Sequence, residues 1–467
     1  MTDCPPIRVL HAIHDFLPRH VAGSEIYVAE LSAALARRGH HPVVLCAEFD
    51  PSRRHAQLTW RVVGALPVVE LVNNWRFAGF SETYHSAPLN RVLAHLLDMV
   101  QPHVLHVHNL LNLSFALPAL ARSRGIGVAA TLHDHTLVCA SGGQRIHRAD
   151  RHVCHSIDPQ RCARCFTQSP FHTQMAVGRL ARAPGGRIAG IAAAHLRRWA
   201  PRLAASLGRS LEQRPAPGLG PEAIAARMEA ARSTFENFDI AVAPSESLAQ
   251  SFRDLGFPAG RLLVSDYGFQ PLRPAAGTST PGRLRIGFAG TLVWHKGVDL
   301  LIEAVRQLPA ERVELLVYGD PAVFPDYAHH LRQRARALPV RFMGGYQRAD
   351  IARVFGQLDV LAVPSRWLEN SPLVIHEAFM SGVPVVGARI GGIADLVKHE
   401  VNGLLFEPDS FESLAAALGR LVDDRALLDS LRAARTPVKS IDDDALEWEG
   451  RYRQIIGGLQ PRVEAAS

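Results

Sequence analysis

The sequence predicts an α/β protein of two Rossmann-like, doubly wound domains facing a cleft. Three observations predict it. Short apolar runs alternate with helical stretches in the first part of the chain. The same alternation restarts in the last part, and a Pro-, Gly-, Ser- and Thr-rich segment, Pro271–Gly282, lies between the two series. A strand–helix–strand rhythm builds a parallel sheet, because each helix carries the chain back to the same end and covers one sheet face.

In the first series Ile7–Ile13 reads as a buried strand. Ser24–Arg38 follows as a helix, with Ile26, Leu31 and Leu35 among its apolar positions and Gly39 as its stop. Pro42–Ala47, His103–His108 and Gly127–His133 read as further strands, with a helical stretch Leu113–Arg124 between the last two. The rhythm breaks from about 141 to 233, a stretch read as an insertion in the first domain. It resumes with a strand through Val242 and a helix capped near Ser245. Beyond the linker, LRIGFAG, VELLVYG, VRFMGG, VLAVPS, VPVVGA and GLLF are strands or strand starts, each near a helical segment, and the tail LEWEGRYRQII is a last helix. The expected division is 1–270, a linker 271–282, a second domain 283–445 and a terminal helix 446–467.

With 467 residues, 47% apolar and 20% charged, the chain has the balance of a soluble globular protein large enough for two cores. Its net charge of +7 suits nucleotide phosphates, nucleic acid or an anionic membrane surface, and does not choose among them. The first residues lack the basic start and apolar core of a signal peptide, and no uncharged apolar run reaches the roughly 18 residues of a spanning helix. The expected location is cytoplasmic, either free or peripheral on the inner face of the membrane. Most of the 23 histidines are expected at the surface. No G-x-G-x-x-G follows a strand and no Walker A loop is present, which counts against a nicotinamide dehydrogenase and a P-loop enzyme.

The densest chemical signal runs from Val363 to Val397. A strand ends near Pro364, Glu369 falls in the loop that follows, and a helix begins near Ser371 or Pro372, proline being favoured in a first turn. The N–H groups of such a helix start carry partial positive charge and suit a diphosphate or sugar hydroxyls. Glu377 lies about one and a half turns inside that helix. In the second domain's first βα turn, a strand ends at Gly290 and Lys296 sits just before the next helix, a good place to meet a diphosphate.

These residues resemble the retaining family 4 glycosyltransferases. The shared pattern is Pro364, Ser365, Glu369, Pro372, Leu373, Glu377, Ala378, Gly382, Pro384 and Val385, then Gly391, Gly392, Asp395, Asn402, Gly403, Leu404 and Phe406. The resemblance implies a GT-B fold whose terminal helix crosses back to the first domain. It implies a nucleoside diphosphate sugar as donor, and a leaving phosphate that takes the acceptor's proton, with no dedicated protein base. It places Glu377 on the donor ribose, Glu369 beside the transferred sugar, and the backbone of Asn370, Ser371, Pro372 and Leu373 at sugar and phosphate. Gly290, Thr291 and Lys296 line the diphosphate. Thr291 stands where many members carry arginine, and Arg366 is a spatial substitute to be tested.

In the first domain the loop Ala22–Glu25 keeps one glycine, Gly23, for close approach to the donor phosphate. His133, at a strand's C-terminal end, is implied to lie near the transferred sugar. Cys139 fits a subset of the family, and with Cys154, Cys162 and Cys165 it forms a group containing Cys-x2-Cys, the usual half of a zinc site. A structural zinc stands there against free thiols or a labile disulfide. Catalysis is expected to need no metal or cofactor. Arg179–Leu211 holds seven arginines and no acid, with apolar residues at helical spacing. It reads either as an anionic-membrane contact serving a lipid-linked acceptor or as an insertion helix packed on the domain. No nucleic-acid partner is expected. Retained transfer in bacterial polysaccharide or glycolipid assembly is the leading reading. A nucleotide-sugar epimerase and a non-catalytic sugar-nucleotide binding protein are the rivals.

Overall fold

The computed structural model describes residues 5–148, 150–180, 218–272 and 282–459, with isolated positions between 192 and 203. It divides the chain into two compact units. One comprises 1–244, 249–265 and 442–467, and the other 245–248 and 266–441. The expected boundary near 270 therefore moves back to 265–266. Most of the expected linker, and most of the Arg-rich stretch 179–211, lie outside the described residues.

The first unit is built on β1 (Arg8–Ala12), β2 (His41–Glu48), β3 (Leu58–Val63), β4 (Leu66–Val72), β5 (Val104–Val107), β6 (Gly127–Thr131), β9 (Ile240–Ala243) and β10 (Leu262–Val264). A separate hairpin, β7 (Ile146–His147) and β8 (His152–Val153), lies in the insertion. The main sheet runs β10-β9-β6-β5-β1-β2-β4-β3. Every pair is parallel except β3–β4 at one edge. At that edge Trp60 and Val62 are exposed, as the outward residues of a half-covered strand should be. The helix Gly23–Arg37 opens one residue earlier than expected and ends at Gly39, whose φ of 89° suits a residue without Cβ. The helix Pro221–Glu236 lies inside the span expected as an insertion, yet it buries Ile224, Met228, Ala231 and Phe235 as a core helix of the unit.

The last helix, Ile441–Leu459, starts earlier than expected and packs in the first unit. Trp448 and Tyr452 are fully buried. Tyr27 donates to the Asp444 carboxylate at 2.8 Å and accepts from the Trp448 indole at 3.0 Å. No helix among the described residues is long and apolar enough to cross a membrane.

The second unit carries β11 (Leu284–Ala289), β12 (Val313–Tyr318), β13 (Val340–Gly344), β14 (Val360–Val363), β15 (Val385–Ala388) and β16 (Gly403–Phe406). Their order is β13-β12-β11-β14-β15-β16, parallel throughout. Strands β11, β14 and β15 are buried along their whole length; β14 and β15 read as unbroken apolar runs, and β11 is broken only by Arg285, buried against Asp359. The two units are Rossmann-like α/β domains.

Candidate functional site

Strands β11 and β14 are neighbours, so the loops leaving their C-terminal ends emerge side by side, where ligands gather on such sheets. After β11 the chain passes Gly290 and the exposed Thr291, makes a short turn Trp294–Lys296, and enters the helix Val298–Arg306 through Gly297. Gly297 has φ 73°, and a Cβ there would fall 1.9 Å from the Pro364 carbonyl oxygen. The lysine turn thus lies directly against the loop that follows β14.

Arg366 holds the two loops together. Its backbone N–H donates to the His295 carbonyl at 2.8 Å, and its guanidinium to the Trp294 carbonyl at 3.1 Å. The same guanidinium grips Asp299, in the first turn of the following helix, with bonds of 2.7 and 3.1 Å, and also bonds Asp409. With that charge spent on carboxylates, Arg366 is no substitute for a phosphate-binding arginine at Thr291. It is a staple.

The staple brings Lys296 Nζ to 2.6 Å from Glu369 Oε1, which also accepts from the Ser365 hydroxyl at 2.7 Å. Glu369 is 6% exposed. Burial alone would raise its pKa, but the Lys296 charge and hydrogen bonds from Lys296 and Ser365 prevail and hold it below the ordinary carboxylate value. The carboxylate is therefore ionised across the neutral range.

Gly391 and Gly392 press on the same loop. The Gly392 N–H donates to the Glu369 carbonyl at 2.7 Å, and a Cβ on Gly392 would fall 1.6 Å from the Asn370 carbonyl oxygen. The helix Leu373–Met380 begins after Pro372, its N-cap. Pro372 has no amide hydrogen, so of the expected backbone donors it supplies shape only. The N–H groups of Ser371, Leu373 and Val374 have no acceptor among the described residues, as the first turn of a helix leaves them. The Ser371 hydroxyl donates to Asp266 at 2.7 Å and lies 2.9 Å from His376 Nε2, which fixes the loop from below. Asn370 is buried beside it. Glu377 is 7% exposed, and Arg348 Nη1 lies 3.5 Å from its Oε1. Burial and the Glu377 charge push the Tyr346 hydroxyl up. Lys296, Glu369, Ser371, Leu373 and Glu377 thus belong to one unit, around one helix start. Asn402 is explained by structure: its side chain accepts from Lys398 N and donates to the Leu396 carbonyl and the Thr436 hydroxyl.

Gly23 and His133 belong to the other unit. Gly23 opens the first helix, where buried Glu25 turns back to accept from Ala22 N at 3.1 Å. His133 follows β6 and ends a buried imidazole row. Its Nε2 lies 2.9 Å from His108 Nδ1, and His108 Nε2 lies 2.9 Å from His11 Nδ1. His106 bridges Tyr452 and Thr131 at 2.7 and 2.8 Å. Burial, aided by the nearby His14, lowers His133 to about 3, and burial lowers His11 to about 3, so both are neutral. Nine of the 23 histidines are buried among the described residues, a minority, and three of them form this row. The alternation in VLHAIH and VLHVH was the signal: histidines share sheet positions with apolar neighbours.

The row has a direction. His11 Nε2 has no partner among the described residues. A buried N–H without an acceptor costs more than a spare lone pair. An Nδ1–H on His11 and on His108, each donating to the next ring, satisfies that preference.

The four cysteines line one cavity. Among the described residues, however, the set whose ligand atoms all approach within 4.8 Å is His11, His106 and His108, not a cysteine set.

Residues 283–424 match the family Glycosyl transferases group 1, and residues 21–176 match Glycosyltransferase Family 4. Among curated relatives, a D-inositol 3-phosphate glycosyltransferase of Jonesia denitrificans is 33% identical over 179 residues, 36% of this chain and 42% of that protein. A glycogen synthase of Rhodopseudomonas palustris is 32% identical over 201 residues, 40% of each. The chain thus spans less than half the length of these relatives. Among solved structures, sucrose-phosphate synthase from Thermosynechococcus elongatus superposes with a TM-score of 0.64 at 16% identity, over 97% of this chain and 100% of that one. Anabaena HepE in complex with UDP and glucose gives 0.59 at 16% identity, over 96% and 99%. The chain therefore carries one glycosyltransferase family match in each of its two units, on the fold of the GT-B glycosyltransferases.

Proposed function

We propose that the protein is a retaining glycosyltransferase that moves a sugar from a nucleoside diphosphate sugar to an acceptor hydroxyl. The observation that carries this reading is the buried, ionised Glu369 paired with Lys296 beside the N–H groups of Ser371, Leu373 and Val374, which meet no acceptor among the described residues. Such a site offers positive charge and fixed dipoles to a departing diphosphate, and a carboxylate to a sugar gaining oxocarbenium character. Lys296 exchanges its bond to Glu369 for the diphosphate when donor arrives. Glu377, deeper in the helix, takes the ribose hydroxyls. No protein side chain is assigned as base, because the leaving phosphate itself can accept the acceptor's proton.

The acceptor is a sugar or a lipid-linked sugar in bacterial polysaccharide or glycolipid assembly, with the Arg-rich stretch 179–211 drawing the enzyme to anionic lipid. Flotation with anionic vesicles tests that last point, and binding that survives Arg197→Glu, Arg198→Glu and Arg202→Glu together would remove it.

The central test is a binding screen across nucleoside diphosphate sugars, followed by NMR of the product's anomeric configuration. Glu377→Ala is expected to weaken donor binding about 10- to 100-fold, the loss of hydrogen bonds to a charged group. Unchanged donor affinity would misplace the site. Donor consumed without any acceptor, with an isomeric nucleotide sugar as product, would favour an epimerase.

A further inference from the structure

The insertion of the first unit folds around a chamber of thiols. Cys139, Cys154, Cys162 and Cys165 all line it, and none is in a disulfide. Cys139 lies in the loop after β6, with its N–H on the His135 carbonyl at 2.7 Å. Cys154 follows β8, with its N–H on the Arg145 carbonyl at 2.7 Å. Cys162 and Cys165 lie on one face of the helix Pro159–Thr167.

Two arginines are buried beside these sulfurs. Arg145 lines the chamber and is 3% exposed. Its Nη1 donates to the Ser251 hydroxyl at 2.7 Å, while Nε and Nη2 meet no acceptor among the described residues. Arg227 is 5% exposed and, among the described residues, donates to the carbonyls of Thr136 and Leu137, at 2.8 and 3.0 Å. Cys139 and Cys162 lie within electrostatic reach of both guanidiniums, and neither guanidinium makes an ion pair with a carboxylate among the described residues. Buried cations without counter-charge are costly. A protonated thiol carries no charge to answer them.

We propose that Cys139, Cys154, Cys162 and Cys165 bind one zinc ion as a structural tetrathiolate site whose charge is balanced by Arg145 and Arg227. The charges close. Zinc displaces four thiol protons to solvent and forms four Zn–S bonds, leaving a unit of charge 2−, and the two guanidiniums bring the locality to zero. A coordinating thiol gives up its proton outright, and the Cys-x2-Cys pair on a helix is half of a tetrahedral set. No three of the sulfurs all lie within 4.8 Å of one another, so zinc would have to draw them together to reach Zn–S bonds of about 2.3 Å. The metal would tie the β7–β8 hairpin and the Pro159–Thr167 helix to the loop that leaves β6, six residues beyond His133. The inference does not depend on the sugar-transfer reading.

The test is elemental analysis of the purified full-length chain, with thiol titration before and after chelation and an absorption spectrum after exchange to cobalt(II). Expected are one zinc per chain, four thiols that react only after chelation, and thiolate-to-cobalt charge-transfer bands. Cys162→Ser with Cys165→Ser should abolish metal uptake, and Arg145→Ala should lower zinc affinity about 10- to 100-fold. A metal-free chain with freely reactive thiols, or a disulfide among the four found by peptide mapping, overturns the site. Should the double variant fail to fold, the metal content and cobalt spectrum of the unaltered chain decide the matter.

Discussion

At the scale of single residues, the pair Lys296–Glu369 stores an exchangeable partner for the lysine. Without ligand the ammonium is held by a carboxylate, and with an anionic ligand it can turn toward stronger charge. Glu369→Gln keeps the shape and removes the charge. It is expected to lower kcat for sugar transfer roughly 10²- to 10³-fold, the scale of losing one electrostatic contact to a developing charge. Steady-state kinetics would show it, with circular dichroism confirming an unchanged fold. Lys296, Glu369 and Glu377 stood out in the sequence because each sits just before or inside a helix that follows a strand. The bond between Lys296 and Glu369, 73 positions apart, did not, because it depends on which strands are neighbours. The role of Arg366 was hidden for the same reason: Asp299 and Asp409, its partners, lie far from it in sequence. Arg348 beside Glu377 was missed too, for no local pattern marks it.

At the scale of elements, the glycines decide how near two loops can come. Gly392→Ala would drive a methyl group into the Asn370 carbonyl and push the Glu369 loop off its seat. A cost of about 1–3 kcal/mol in stability is expected, as for other overpacked sites, with donor affinity falling as well. Thermal melts with and without donor would separate the two effects, and full affinity in the variant would show that the loop tolerates displacement. The Gly391–Gly392 pair was visible in the sequence as part of a pattern; its reason is visible only once β14 and β15 lie side by side. Fully buried parallel strands such as β14 and β15 are easy to read because every position is apolar. The β3–β4 hairpin was harder, since its outward residues Trp60 and Val62 are apolar although exposed and hide the alternation. The helix Pro221–Glu236 was taken into the insertion because its buried face includes Arg227 and Thr234, which no hydrophobic pattern counts.

At the scale of the whole molecule, the buried histidines make stability depend on acidity. His11, His133 and His135 are lowered to about 3 by burial, with lesser help from His14 at His133 and Arg145 at His135. In the unfolded chain each titrates near 6.5. Between those values the unfolded state binds protons that the folded state refuses, so stability drops as pH falls below about 6.5. Each such group contributes on the order of 1 kcal/mol per pH unit. Glu369 adds to the loss only at lower pH: its folded value lies below the ordinary carboxylate value, so its contribution is intact above that value and fades as pH falls through the lowered one. Melting temperature measured from pH 7.5 down to 5 should fall steeply, and a flat profile would show that these imidazoles are protonated in place. The last helix has a further consequence. Tyr27, near the start of the chain, waits for Asp444 and Trp448, near its end, while 266–441 forms the other unit in between. On a ribosome the first unit must therefore emerge with an uncovered apolar face and stay unfinished until Asp444 and Trp448 have been made, so residues 266–441 can reach their native state before residues 1–244 do.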